Sequence, residues 1–212
     1  MENVLMQTVT SLTDNVISFE GVTKTFGEQD AVHDLSFVFP KGKIIGLIGP
    51  SGSGKTTTVR LMTGIYHPTE GKIHVMGSDP RSFTLEEREK IGYMTQNFVL
   101  YPDLSVKENL AFAGAIYGFG FGHRAKRIKN LLEFVELSDD SKKLARNLSG
   151  GMQRRLALAA ALIHDPDLIF LDEPTAGIDP ILRRKFWDHF IDLRDQGKSL
   201  VITKIGRASC RE

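Results

Sequence analysis

Cysteine is nearly absent from this 212-residue sequence, which holds Cys210 and no other. One thiol builds neither an internal disulfide framework nor a zinc cluster, which excludes a disulfide-stapled scaffold and fits a reducing compartment. An excess of either charge is also missing: 27 Lys and Arg stand against 26 Asp and Glu, a formal net charge of +1. No global basic field draws the chain onto nucleic acid or an anionic membrane, and no nucleic-acid partner is expected. Long apolar runs are lacking as well. The longest candidate, residues 110–121, is broken by Gly114, Gly118 and Gly120 and falls short of the roughly 18 to 20 residues that span a bilayer. The first residues, Met1-Glu2-Asn3-Val4-Leu5-Met6-Gln7, have no basic region leading into an apolar stretch, so no secretory leader is expected. Any membrane role must run through a partner. What is present, 41% hydrophobic and 25% charged residues, suits one domain or a closely knit pair of subdomains with a real core. A disordered or fibrous chain is excluded.

Residues 1–15 read as an irregular, polar N-terminus. Residues 16–19 and 35–39 then read as two strands of an edge sheet, with Thr25-Phe26-Gly27 as a turn between them. Residues 43–49 form a compact apolar strand, followed by a glycine-rich turn and a helix over 55–64, a strand, loop and helix unit of the nucleotide-binding kind. Short strands are expected at 71–77 and 91–95. Residues 97–160 change character: helices are expected over 106–117 and 124–137, the second with Ile128, Leu131, Leu132 and Val135 at helical spacing. We read this as an inserted helical subdomain whose apolar stripe is core packing. The basic cluster Arg124, Lys126, Arg127 and Lys129 reads as a solvated face. Buried parallel strands resume at 168–171 and 200–203.

Gly49-Pro50-Ser51-Gly52-Ser53-Gly54-Lys55-Thr56 matches the full phosphate-binding loop pattern, and it lies between a strand and a helix as the mechanism requires. Glycines let the backbone wrap a phosphate with its N–H groups pointing inward, and the helix N-terminus adds a favourable dipole. In such a loop the lysine, Lys55, reaches the terminal phosphates, the hydroxyl of Thr56 ligates magnesium, and Thr57 is expected among the ATP-binding residues. Leu168-Ile169-Phe170-Leu171-Asp172-Glu173 is an apolar run ending in two carboxylates, as expected of a buried strand whose C-terminal end reaches a ligand crevice. Asp172 is placed to hold the metal and Glu173 to orient or deprotonate an attacking water. A solvated turn or a helix cap is the other reading of that pair.

Leu148-Ser149-Gly150-Gly151-Met152-Gln153 resembles the signature motif of ABC-family ATPases. Ser149 and two glycines open a helix, a second N-terminus able to bind an anion or simply to be capped. The resemblance covers residues 16–203. It implies an α/β fold, a P-loop NTPase (RecA-like) core at 16–96 and 161–203 with an N-terminal antiparallel β subdomain and the helical insertion at 97–160. It implies ATP and Mg2+ as ligands and a head-to-tail homo- or heterodimer, in which Ser149, Gly150, Gly151 and Gln153 would contact the γ-phosphate held by the opposite subunit. It also implies a separate transmembrane permease, and with it a cytoplasmic location at the inner face of the membrane.

Further family elements follow in order. Gln96 resembles the glutamine that touches magnesium and senses the permease. Phe26 takes the place of an aromatic, usually tyrosine, that stacks on adenine; a core-packed phenylalanine is the other reading. Ala176-Gly177-Ile178-Asp179 resembles the D-loop, with Asp179 crossing the dimer interface or capping a turn. The run from Pro174 to Pro180 most resembles ATPases of drug, antibiotic or lipid exporters. The alternatives are a fragment of a soluble ABC ATPase acting on ribosomes or DNA, and an ATP-binding module with impaired hydrolysis. A neighbouring gene with several hydrophobic spans favours transport, and a second cassette in the same frame favours the soluble class.

The sequence departs from the family after Thr203. Members usually continue with a second threonine and a switch histidine, whereas this chain reads Lys204-Ile205-Gly206-Arg207-Ala208-Ser209-Cys210-Arg211-Glu212. His189 lies in the preceding helical segment, out of register. The last eight residues are similar to an in-frame translation of a common sequencing adapter, so 204–212 are expected to be a non-native tail on a longer natural protein.

Overall fold

The computed structural model describes residues 15–96, 99–117 and 121–205; Asn97, the Arg124 side chain and Cys210 lie outside the described residues. Strand β1 (Asn15–Phe26) and β2 (Gln29–Pro40) form an antiparallel hairpin closed by Gly27 and Glu28. Both strands outrun the sequence expectation. Register shifts between Phe19 and Lys24 act as bulges that carry β1 past Gly21, and Thr25 and Phe26 pair with Asp30 and Gln29 instead of turning. The turn falls one step later, at Gly27, whose φ of 61° suits a tight hairpin loop.

The chain continues through β3 (Ile44–Gly49), α1 (Lys55–Met62), β4 (Glu70–Val75), α2 (Leu85–Glu89) and β5 (Ile91–Met94). Helices α3 (Val106–Ile116), α4 (Phe121–Phe134) and α5 (Gly150–Ala161) follow, then β6 (Leu168–Asp172), α6 (Pro180–Asp195) and β7 (Ser199–Ile205). Capping boxes start two of these helices: Thr84 with Glu87 opens α2, and Ser105 with Glu108 opens α3. Helix α2 was not read from the sequence, because its five residues bury nothing and so show no apolar period.

Two sheets result. The first is antiparallel, in the order β2-β1-β4; the second is parallel, in the order β3-β7-β6-β5. Strand β6 is buried along its whole length, and successive side chains face opposite layers. Leu168 and Phe170 join β1, β2, β4 and α1 in one apolar cluster, while Ile169 and Leu171 join α3, α4, α5 and α6 in the other. Each fully buried side chain of this size contributes about 1.5–3 kcal/mol by leaving water. Because the four strands are parallel and paired in register, Gly49, Met94, Asp172 and Thr203 come to one edge of the sheet. Ligands of open α/β sheets bind at that edge.

Candidate nucleotide site

A crevice of about 200 Å³ opens at the carboxyl ends of the parallel strands. Ala31, Ser51, Gly52, Gly54, Lys55, Thr56, Thr57, Gln96, Asp172 and Glu173 line it. Nine of the residues singled out in the sequence therefore meet in one place. Gly49, Pro50 and Ser53 complete the loop outside the crevice lining, with the Ser53 N–H donating to the Pro50 carbonyl at 3.3 Å. Gly54 caps α1 at φ 81°, and a Cβ there would lie 2.4 Å from the Ala31 carbonyl oxygen of β2, so the loop docks on the hairpin only with glycine at this position. The Lys55 ammonium folds over the loop and donates to the carbonyls of Gly49 at 2.8 Å and Pro50 at 2.7 Å. A phosphate entering the loop competes for that ammonium, and a charge-assisted bond to phosphate is the stronger one.

The two carboxylates sit differently. Asp172 is buried at 3% exposure, with Oδ2 3.5 Å from the Thr56 hydroxyl. Its other oxygen accepts from the Thr203 hydroxyl at the end of β7. The Asp172 charge, after burial, pushes the Tyr93 phenol on β5 above its ordinary pKa, keeping that ring neutral. Glu173 is half-buried and left-handed at φ 53°, a strained conformation for a side chain of this size. Its N–H donates to Thr203 Oγ1 at 3.2 Å, and its carbonyl accepts from the Arg154 guanidinium at 2.6 Å. Sequence reasoning missed Thr203 and Arg154. A threonine ending an apolar strand was the available signal for the first.

The remaining motif residues lie outside the crevice lining. Ser149 caps α5, accepting from the Met152 N–H at 3.3 Å, with Ser149 and Gly150 exposed. A Cβ on Gly151 would meet the Gly177 carbonyl oxygen at 3.6 Å, so the start of α5 lies against the 176–179 turn. Gln153 is half-buried, and its Nε2 donates to the Ala145 carbonyl at 3.2 Å, bracing the turn before α5. The cause is helical phase, which turns position 153 toward residues 145–147. Asp179 caps α6 through Leu182 N–H at 2.9 Å and is exposed. Phe26 is 45% exposed, which removes the core-packed reading; its ring stands edge-on to Tyr66 at 5.2 Å, with the Lys24 ammonium 5.0 Å from its centroid. His189 packs on Phe134 and Asp192 along α6, and no histidine is among the described residues lining the crevice.

A sequence model of the family described as ABC transporter matches residues 32–176, more than half of the chain. The chain belongs to the ABC transporter family. Among its ABC relatives, the "Nod factor export ATP-binding protein I" of Burkholderia lata is 41% identical over 88% of this chain and 62% of its own length. The "Probable multidrug ABC transporter ATP-binding protein" of Escherichia coli K12 is 38% identical over 90% of this chain and 33% of its own length. The chain thus spans less than two thirds of these relatives. An ATP-binding cassette solved as a dimer in a post-hydrolysis state, with ADP and Pi, superposes with a TM-score of 0.80 at 29% identity, covering 89% of this chain and 87% of that one. The ABC fold assigned from the sequence, an α/β P-loop core with an antiparallel β sheet, is the fold observed.

Among the described residues no helix is long and apolar enough to cross a membrane. Nor do three His, Cys, Asp or Glu side chains gather there into a metal cage. The crevice instead offers hard oxygen donors from Thr56, Asp172 and Gln96. Magnesium binds in that way, through one or two carboxylates plus the oxygens of a phosphate substrate, so the residues fit it.

Proposed function

We propose that this chain is the ATP-binding and ATP-hydrolysing part of an ABC-type exporter. It works at the cytoplasmic face of a membrane through a separate transmembrane permease. The observation that carries the reading is the meeting of the phosphate loop, Gln96, Asp172 and Glu173 in one crevice. In the bound state the loop N–H groups and the N-terminus of α1 cradle the phosphates, and Lys55 turns from the loop carbonyls to the terminal phosphate. Thr56, Asp172 and Gln96 are the residues that would hold Mg2+, which when bound would supply positive charge against the phosphate oxygens. Glu173 orients the attacking water and accepts its proton as the water oxygen bonds to the γ-phosphorus and the β–γ bridge breaks, leaving ADP and phosphate. The relatives' names, which include Nod factor export and multidrug transport, support the exporter direction.

Pairing with a second cassette is part of the same reading. The dimeric neighbour supports it, as do Ser149, Gly150 and Asp179, which stand exposed away from the crevice of their own chain. Nothing in these residues contacts cargo; selection belongs to the permease. A phosphate-release assay with the Lys55→Ala and Glu173→Gln variants of the full chain tests the proposal. Alanine abolishes productive binding; glutamine leaves binding intact and lowers turnover by about a hundredfold or more, the usual cost of one transition-state contact. Unchanged release in the glutamine variant removes Glu173 from the mechanism. The lack of histidine among the described crevice residues favours a second reading, an ATP binder with little turnover, for which the unsubstituted chain binds nucleotide by calorimetry and releases almost no phosphate.

A further inference from the structure

We infer that Thr203 is a positioning residue whose single hydroxyl sets the geometry of both Asp172 and Glu173. The inference rests on the ATP-hydrolysing reading above. Thr203 ends the apolar run of β7, and its side chain is 1% exposed. Valine has the same shape and a better strand propensity, and it leaves no polar atom to bury. The hydroxyl is used twice. It accepts from the Glu173 N–H at 3.2 Å, and it donates to Asp172 Oδ1. A hydroxyl has one proton and two lone pairs, so the proton of Thr203 points at Asp172 while a lone pair meets the Glu173 N–H.

Two consequences follow for the crevice. With Oδ1 of Asp172 tied to β7, its Oδ2 is the oxygen that faces Thr56, 3.5 Å away. The same hydroxyl holds the peptide of Glu173 in the left-handed conformation at φ 53°, with Arg154 fixing the carbonyl from α5. A residue in that conformation persists only when its surroundings over-determine it. The register that pairs Asp172 with Thr203 across β6 and β7 puts the hydroxyl within reach of both groups.

The test compares Thr203→Val and Thr203→Ser in the full chain. Phosphate release is measured against ATP and magnesium concentration, and binding of a non-hydrolysable ATP analogue is measured by calorimetry with and without magnesium. The valine variant loses ~10–100-fold in kcat and in the gain in binding affinity that magnesium brings, the usual cost of removing a partner that orients a metal ligand, while magnesium-free affinity is unchanged. Serine restores both. Valine behaving as wild type in both readouts overturns the inference, as does serine impaired as badly as valine. A matching loss in magnesium-free binding also overturns it, since Thr203 then merely supports the fold. If thermal unfolding shows valine to be misfolded, Thr203→Cys, of similar volume and weak donor strength, takes its place. A wild-type chain that binds nucleotide but releases no phosphate sinks the hydrolysis reading alone, and the magnesium-dependent binding still decides Thr203.

Discussion

The two ends of the parallel sheet both bury polar groups, and they do so for opposite ends. At the amino ends of the strands cations are met by a carboxylate and by carbonyls. Lys198, just before β7 and 9% exposed, donates to the carbonyls of Asp165 at 3.1 Å and Pro166 at 2.8 Å, and it pairs with the Asp165 carboxylate at 3.0 Å. Arg127 of α4 reaches the Leu162 carbonyl at 2.8 Å and the same carboxylate at 3.0 Å. Burial pushes the Asp165 carboxyl up, but Lys198 and Arg127 outweigh it and hold it below its ordinary value. At the carboxyl ends, among the described residues, no ion pair reaches Asp172 or Glu173. The hydroxyls of Thr203 and Thr56 orient the Asp172 carboxylate there and leave its charge for a ligand. At one end the cations close on a carboxylate as well as on carbonyls; at the other Lys55 and Arg154 reach carbonyls, and the carboxylates keep their charge available.

The largest expected effect separates those roles. Asp172→Asn keeps the shape and the Thr203 contact but removes the charge, so magnesium-dependent phosphate release falls by about a hundredfold or more while the unfolding midpoint stays near wild type. At the other end, Lys198→Met leaves two carbonyls and a carboxylate short of a donor, costing ~2–3 kcal/mol of stability, the range for charged hydrogen bonds. Turnover per folded molecule is unchanged in that variant. Urea unfolding paired with phosphate release on each variant reads both quantities. If Lys198→Met lost turnover without losing stability, the division between the two ends would not hold.

The sequence displays these ends unequally. The nucleotide end was legible because its chemistry is contiguous: Gly49 to Thr56 are consecutive, and Asp172 and Glu173 close a fully apolar strand. Thr203 was not, because its partners are 30 residues away for Glu173 and 31 for Asp172 and are reached only through the β6–β7 register. The strands of the hairpin were read too short because Gly21 looks like a break, and the register shifts that absorb it leave no local signal. Helix α2 had a usable sign in Thr84 and Glu87, a capping pair without an apolar period behind it. The closed end was invisible for the same reason as Thr203: Arg127 reads as part of a solvated face and Lys198 gives no local signal until the turn at 162–166 brings them together.

That turn also holds His164, which gives the smallest of the three effects. Its Nε2 lies 3.0 Å from the Ile91 carbonyl, its ring stacks on Tyr117 at 3.8 Å, and its buried Nδ1 has no partner. Burial is the main cause that lowers its pKa below the ordinary 6.5, and the nearby Arg127 adds to it, while the Ile91 carbonyl, Asp165 and Glu89 oppose it. A neutral ring donating through Nε2 satisfies this site, whereas a protonated one buries a second N–H with no acceptor. The unfolded chain therefore takes up a proton as pH falls through 6.5 before the folded chain does, so the contribution to stability is present above that value and is lost below it, down to the lowered folded pKa. Each pH unit inside the window removes at most about 1.4 kcal/mol, the ceiling for one proton. His164→Gln keeps an N–H for Ile91 and does not titrate, so its urea-unfolding free energy changes less than wild type between pH 8 and about 5.5. Parallel curves for the two proteins would mean that His164 is already free to protonate in the fold, and that the amino end of the sheet is open to water after all.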